Sequence, residues 1–408
     1  MSSCMLNSNA GVKSIVENLK SSRAYDSTLM RFTLNMLAHD DEVEDHVISL
    51  SNDMWHVLEH KQWKVIYNEG LTYHEFYSYE DGFTFRFGKN AEDDPKWCPL
   101  GNMIADIECV SGKCPKINGH NCKFCYKSNG GDVAHCMTCE DASKLLDKIN
   151  ENHQLQQVAW GITGYYTNSE FGDILSMCKE KHITPNYTTN GIDIDDAAIE
   201  HTLDTCGRVA VSCYEGAKDL CYATIKKFGD AAAKRGKKFP CNIHVVISKG
   251  TFSHVMSVLQ DAKDKKIENL GAIVMLRMKN VGRAASLDPH ITDEMYEQVV
   301  KFCLENNIKF GFDSCGCHRV EDVLKKIGRL DLISSIESCE SSRFSGYWNV
   351  KGQYYNCSFC EQLQDHHPVD VNAYKSFTEF WNSDELTALR FPKDGWKCKS
   401  CPFMNLDR

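Results

Sequence analysis

An α/β fold of parallel βα units, closing a full or partial barrel, is what this chain predicts, and three observations carry the prediction. First, apolar β-rich runs recur from residue 102 onward at 103–110, 156–162, 183–189, 208–213, 242–248, 272–277 and 308–312. Second, the segments between them carry helical spacing: Ala142, Leu145, Leu146 and Ile149 fall at i, i+3, i+4 and i+7, as do Phe171, Ile174, Leu175 and Cys178, and Val299, Phe302 and Cys303 share a face. Alternation of this kind implies parallel strands joined by crossover helices. Third, the first run opens directly onto Cys114, Cys122 and Cys125, spaced C-x7-C-x2-C. In parallel βα folds function gathers where strands end, so motif and fold agree in position.

The composition sets limits. Of the 408 residues, 42% are hydrophobic and 25% charged, as in ordinary soluble domains. A formal net charge of −10 makes a nucleic-acid backbone an unlikely partner. The densest basic run, Lys234 to Lys238, reads as a solvated helix end. The 21 cysteines are an odd number, the first residues MSSCMLNSNAGVKS hold no apolar signal core, and no apolar run approaches the roughly 20 residues that span a bilayer. A cytoplasmic, reducing setting follows, where clustered cysteines bind metal more often than they pair. The core cysteines Cys178, Cys206, Cys221, Cys241 and Cys303 read as small apolar residues instead.

Residues 1–98 read as an α+β extension or accessory region. It has a helical pattern at Val12, Ile15, Val16 and Leu19, and a β-hairpin around Asp81-Gly82 in FYSYEDGFTFRF. At the three-cysteine loop two chemistries stay open. A structural zinc site needs a fourth ligand, from His120, Cys136 or Cys139. A [4Fe–4S] cluster on three cysteines leaves one iron for an outside ligand. Beyond residue 313 the βα rhythm is expected to stop, and cysteines return at 315, 317, 339, 357, 360, 398 and 401. A turn at Lys351-Gly352 brings Cys339 and Cys357 toward one another. With little apolar periodicity, this module is expected to take much of its folding energy from metal.

These motifs resemble the radical S-adenosylmethionine (SAM) superfamily, in its members with a C-terminal SPASM or Twitch auxiliary-cluster domain. Phe124 precedes the third cysteine as in the family, although the family's first spacing is C-x3-C. Gly161-Ile162-Thr163-Gly164 stands where the family has its Gly-Gly-Glu-Pro loop, without the acidic residue, and Tyr165 follows. Thr188-Thr189-Asn190-Gly191 resembles the family's TTNG strand end, Ser212 takes the place of a strand-end serine, and Asn280 to Ala284 resembles its GRA segment. C-x12-G-x4-C from Cys339 through Gly352 to Cys357 matches the auxiliary signature.

The resemblance implies a partial (β/α)6 TIM-like barrel over 99–313 and an auxiliary-cluster domain over 314–408. It implies a [4Fe–4S] cluster on Cys114, Cys122 and Cys125, with SAM held near Phe124, Gly161, Gly164, Thr188, Asn190 and Ser212. It also implies at least one auxiliary [4Fe–4S] cluster, on Cys339, Cys357, Cys398 and Cys401, with Cys315 or Cys360 as substitutes. The implied activity is reductive cleavage of SAM to a 5′-deoxyadenosyl radical that abstracts hydrogen from a peptide or protein side chain. Flavodoxin or ferredoxin is the implied electron donor. Two other readings remain: a radical SAM enzyme acting on a sugar or cofactor precursor, and a non-catalytic zinc protein built on the four C-x2-C pairs.

Overall fold

The computed structural model describes residues 41–80, 82–90, 93–363 and 366–391, together with Cys401 and Phe403. The helical pattern at Val12 to Leu19, the turn residue Asp81 and Cys398 lie outside the described residues.

The chain first forms an antiparallel meander, β1 (Glu44–Leu50), β2 (Asp53–Glu59), β3 (Trp63–Asn68), β4 (His74–Ser78) and β5 (Thr84–Phe87), hydrogen-bonded in that order. The β4–β5 pair is the hairpin read from the sequence, with Gly82 at φ +70° in its turn. Alternation places Trp55, Val57 and Ile66 on one face, against Leu100, Met103, Ile104 and Phe344. Leu58, Val65, Tyr67 and Phe87 pack on the other. The buried Lys64 of β3 donates to the carbonyls of His153 and Leu155 at 2.6 and 2.9 Å, fastening the meander to the chain that follows.

The main sheet begins in the chain with β6 (Ile104–Glu108), which lies between the strands Gln157–Gly161 and Ser345–Trp348 in the sheet. Two short strands follow, β7 (Val110–Ser111) and β8 (His135–Cys136), which pair with each other. Then come α1 (Cys139–Ile149), β9 (Gln157–Gly161), α2 (Phe171–Glu180), β10 (Thr184–Thr189), α3 (Asp196–Thr205) and β11 (Arg208–Ser212). They continue with α4 (Lys218–Lys234), β12 (Cys241–Ile247), α5 (Phe252–Lys263), β13 (Leu270–Arg277), α6 (Asp293–Glu305) and β14 (Phe310–Phe312). Strands β6 and β9 to β14 are parallel, and each lies within one of the seven runs or overlaps it. Near-continuous apolar strands such as Val209-Ala210-Val211 are what a sheet covered on its faces requires.

The helices bury the predicted stripes: Ala142, Leu146 and Ile149 on α1, and Phe171, Ile174, Leu175 and Cys178 on α2. Thr138 caps α1 by accepting from the Asp141 amide at 3.0 Å, and Thr292 caps α6 likewise. Cys178, Cys206, Cys221, Cys241 and Cys303 all sit in this core. Lys234, Lys237 and Lys238 are exposed at the end of α4. No disulfide joins the described cysteines. Among the described residues no helix is long and apolar enough to cross a membrane.

The C-terminal segment corrects two expectations. The rhythm does not stop at residue 313, because α7 (Cys317–Lys326) follows β14 and buries Val320, Val323 and Leu324, an i, i+3, i+4 pattern. Nor is the segment poor in core. A hairpin of β15 (Ser345–Trp348) and β16 (Tyr354–Tyr355), with Gly352 at φ +71° in the turn, joins the main sheet as β15 pairs parallel with β6. Helices α8 (Phe377–Trp381) and α9 (Asp384–Arg390) cover it. Trp348, Tyr354, Phe377, Phe380, Trp381 and Leu386 are completely buried, and the Trp381 indole donates to the Cys98 carbonyl at 2.7 Å. Aromatic side chains each bury about 150–250 Å², so this segment has ample apolar area to fold on without metal.

Candidate active site

The parallel strands end around a cavity of about 480 Å³. It is lined by Cys114, Cys122, Phe124 and Cys125 of the loop after β6, Gly161 and Thr163 after β9, Thr188 to Asn190 after β10, and Ser212 after β11. The cavity extends along the sheet to Gln157 and Arg208 at the strand starts, where Tyr77, Phe83 and Thr84 of the N-terminal meander close it.

Burial and the neighbouring Cys125 push the Cys114 thiol up to about 11, and burial raises Cys122 as well. The loop carrying them is folded around one arginine from the segment after β13. Arg283 donates to the carbonyls of Cys122 at 2.9 Å, Ser128 at 3.1 Å and Asn129 at 2.7 Å, and its amide bonds the Cys125 carbonyl. Its charge also draws the Cys114 and Cys122 pKa values down, against burial. Gly282 makes the approach possible. It sits at φ +60°, and a Cβ there would stand 2.1 Å from the Tyr126 carbonyl oxygen. Gly282→Ala is therefore expected to cost about 1–3 kcal/mol in backbone strain alone and to displace the cysteine loop, read as a lower melting temperature.

The glycine loop after β9 differs in detail from its reading in the sequence. Gly161 lines the cavity, with a Cβ position 3.2 Å from the Glu108 backbone. Gly164 does not line it. A Cβ there would lie 2.4 Å from the Asp193 carboxylate, so Gly164 makes room for that group. Asp193 accepts from the Tyr166 amide at 3.2 Å, while its Oδ1 is buried without a hydrogen-bond partner among the described residues. Its charge reaches Cys114 and raises that thiol further. An acidic group thus stands beside the glycine loop, carried by the next loop just after Asn190-Gly191, although Asp193 is not among the residues lining the cavity. Asn190 braces the two loops by donating to the Thr163 carbonyl at 2.9 Å. Thr188 bonds His244 at 3.3 Å, and burial pulls His244 down to about 4, leaving it neutral at physiological pH. Tyr165 is buried and its hydroxyl meets His201 Nδ1 at 3.0 Å, which is packing.

A buried charged group stands where this cavity meets the C-terminal segment. Lys127 contacts Glu361, the Tyr347 hydroxyl at 2.6 Å and Glu108 at 3.3 Å, and Tyr347 donates to Glu361 at 2.8 Å. Burial raises the Glu108 pKa. Lys127, Glu108 and Tyr347 line the cavity. None was singled out in the sequence, since the cluster assembles only when β15 docks beside β6.

Beyond it, Cys315, Cys357, Cys360 and Cys401 gather with Val281, Phe359 and Phe403 in a separate cluster, and Cys339 and Cys357 both act electrostatically on Cys315. Burial holds the Cys315 thiol far above its usual range, and lifts Cys317 to about 12. Tyr126 of the cysteine loop packs on Phe359, ring centres 4.7 Å apart, so the two cysteine groups share a wall. Burial works against the charge of Lys279, yet Asp313 and the nearby thiols outweigh it, so its pKa ends above normal. Lys279→Met would leave Asp313 buried without its ion-pair partner, at an expected cost of about 3–5 kcal/mol, measured by urea denaturation. Cys136 and Cys139 lie apart, Cys136 exposed and Cys139 opening α1.

A tetrahedral zinc with Zn–S near 2.3 Å holds its sulfurs about 3.8 Å apart. Among the described residues, no three of these sulfurs lie within 4.8 Å of one another.

The sequence matches no protein-family model and no curated protein. In three dimensions the chain shares its fold with solved structures. It is similar to Streptococcus suis SuiB bound to the precursor peptide SuiA, with a TM-score of 0.56 and 16% identity over 75% of this chain and 71% of SuiB. SuiB bound to S-adenosylmethionine matches equally, at 0.56 and 16% over 75% and 72%. At this identity the likeness is one of fold.

Proposed function

We propose that this chain is a radical SAM enzyme that modifies a peptide or protein side chain. The observation that carries the reading is convergence: the three-cysteine loop and the ends of β9, β10 and β11 meet at one cavity. Cys114, Cys122 and Cys125 hold a [4Fe–4S] cluster, and Phe124, Gly161, Thr188, Asn190 and Ser212 flank SAM. Asp193, with its unpartnered Oδ1, receives the SAM ammonium in place of a glutamate in the glycine loop. When bound, cluster and SAM supply the 5′-deoxyadenosyl radical that abstracts hydrogen from the substrate. The parallel sheet curves as a partial barrel over 99–313, with the β1–β5 meander closing its floor. Tyr77, Phe83 and Thr84 at the strand starts exclude water from that end.

The C-terminal segment, 314–408, holds an auxiliary cluster. Cys315, Cys339 and Cys357 are three of its ligands, and the fourth comes from Cys360, Cys398 or Cys401. Lys127, Glu108 and Tyr347 lie between the two centres and fix the polarity of the space the substrate occupies. The peptide assignment is supported by the auxiliary signature and by the fold shared with SuiB, which binds a precursor peptide. Flavodoxin or ferredoxin supplies the electron, in a cytoplasmic setting. The test is anaerobic incubation with SAM, dithionite and the peptide encoded beside the gene, followed by mass spectrometry. A peptide lighter by two hydrogens, with 5′-deoxyadenosine formed in step, is expected. Turnover with a sugar or cofactor precursor and none with peptide would overturn the substrate class.

A further inference from the structure

At the strand starts, away from the cysteine loop, three segments bring metal-binding side chains together: His46 of β1, Glu59 of β2 and His153 of the loop before β9. One donor atom of each lies within 4.8 Å of the other two. His46 Nε2 is 3.6 Å from a Glu59 oxygen and 3.8 Å from Glu44 Oε1. It is buried and has no hydrogen-bond partner among the described residues. A buried ring nitrogen facing two carboxylates, and bonded to neither, is short of a partner.

The surroundings hold these donors in place. The Tyr79 hydroxyl donates to Glu59 Oε1 at 3.0 Å and Lys64 Nζ lies 3.5 Å from the same oxygen, so Oε2 is the one turned to His46. Lys64 also grips the His153 carbonyl at 2.6 Å, and His153 sits at φ +58°, a conformation a non-glycine residue adopts only when its contacts enforce it. Metal-ligating side chains characteristically have such outer partners. The rings of His46 and His153 stack with centres 3.6 Å apart and planes 4° from parallel.

We infer that His46, Glu59 and His153, with Glu44 as fourth donor, bind one divalent transition-metal ion of the zinc class. Two imidazoles and carboxylate oxygens are a zinc donor set, and ligands at 2.0–2.1 Å in a tetrahedron stand about 3.3 Å apart, close to the spacings around His46. Binding requires the stacked rings to open from parallel so that their lone pairs converge, a χ2 rotation at His153. Lys64 is the one cation facing the site that these contacts involve. Its hydrogens are directed to two carbonyls. The ion would staple β1 and β2 to the segment entering β9, locking the meander onto the main sheet. The site shares no residue with the SAM cavity and stands independently of the proposed reaction.

The test uses tag-free full-length chain with its iron–sulfur sites already loaded, equilibrated with zinc(II), passed over chelating resin and assayed for zinc and iron. About one zinc per chain should be retained by the wild type. His46→Ala/His153→Ala and the isosteric Glu59→Gln should retain none, with iron content and circular dichroism unchanged. Tyr79→Phe should bind about tenfold more weakly. Cobalt(II) in the same site should give ligand-field bands without sulfur-to-cobalt charge transfer. A wild type that retains no zinc, variants that retain as much as the wild type, or a cobalt spectrum of thiolate type would each overturn the inference.

Discussion

Replacing Cys114, Cys122 and Cys125 together by alanine is expected to lower the iron of the anaerobically reconstituted chain from about eight to about four per chain. The C-terminal group should keep its iron, because Cys315, Cys339, Cys357, Cys360 and Cys401 come from other segments, and the buried aromatic cluster around Trp348 and Trp381 holds that part of the chain without the cysteine loop. SAM cleavage should vanish altogether. The physical reason is that all three thiols come from one loop, folded around Arg283, and no other described cysteine lines this end of the cavity except Cys213 at the end of β11. Loss of all the iron would mean that the two cysteine groups form one unit. No change would mean that iron binds elsewhere.

The second large effect is expected at Asp193. Asp193→Asn keeps the size of the side chain and its contact with the Tyr166 amide, but removes the charge next to Gly164. A hydrogen bond to a charged group is worth about 1.5–3 kcal/mol, so SAM affinity should fall roughly tenfold to hundredfold, measured by equilibrium binding to the iron-loaded protein. Iron content should stay the same, since Asp193 is not a ligand. Unaltered SAM affinity would show that the ammonium is held elsewhere, for instance by backbone carbonyls of the Gly161 loop.

These two sites show what was legible in the sequence and what was not. The seven strand runs were legible because most keep buried apolar residues on the face toward the helices, even where, as in β10 (TPNYTT), the alternate residues are polar and line the cavity. The cysteine loop was legible because all its ligands lie within a few residues of one another. The Lys351-Gly352 turn was legible because a left-handed turn position favours glycine. Asp193 was not, because its partner, Gly164, lies in the preceding loop and only the parallel pairing of β9 with β10 brings the two loops side by side. The Lys127, Glu108 and Tyr347 cluster was hidden for the same reason: it requires β15 to pair with β6, a register no local pattern encodes. The group around Cys315 likewise depends on α7 turning back after β14. That helix was missed although Val320, Val323 and Leu324 carry the helical spacing, because neighbouring cysteines drew the segment into a metal-module reading.

The most direct test of the central claim is SAM cleavage itself. The iron-loaded wild-type chain, kept anaerobic and given dithionite and SAM, should form methionine and 5′-deoxyadenosine, with none produced by the Cys114/Cys122/Cys125 alanine variant. Zinc in place of iron in the purified chain, together with intact SAM after reduction, would contradict the account and leave a zinc-binding protein on the same fold.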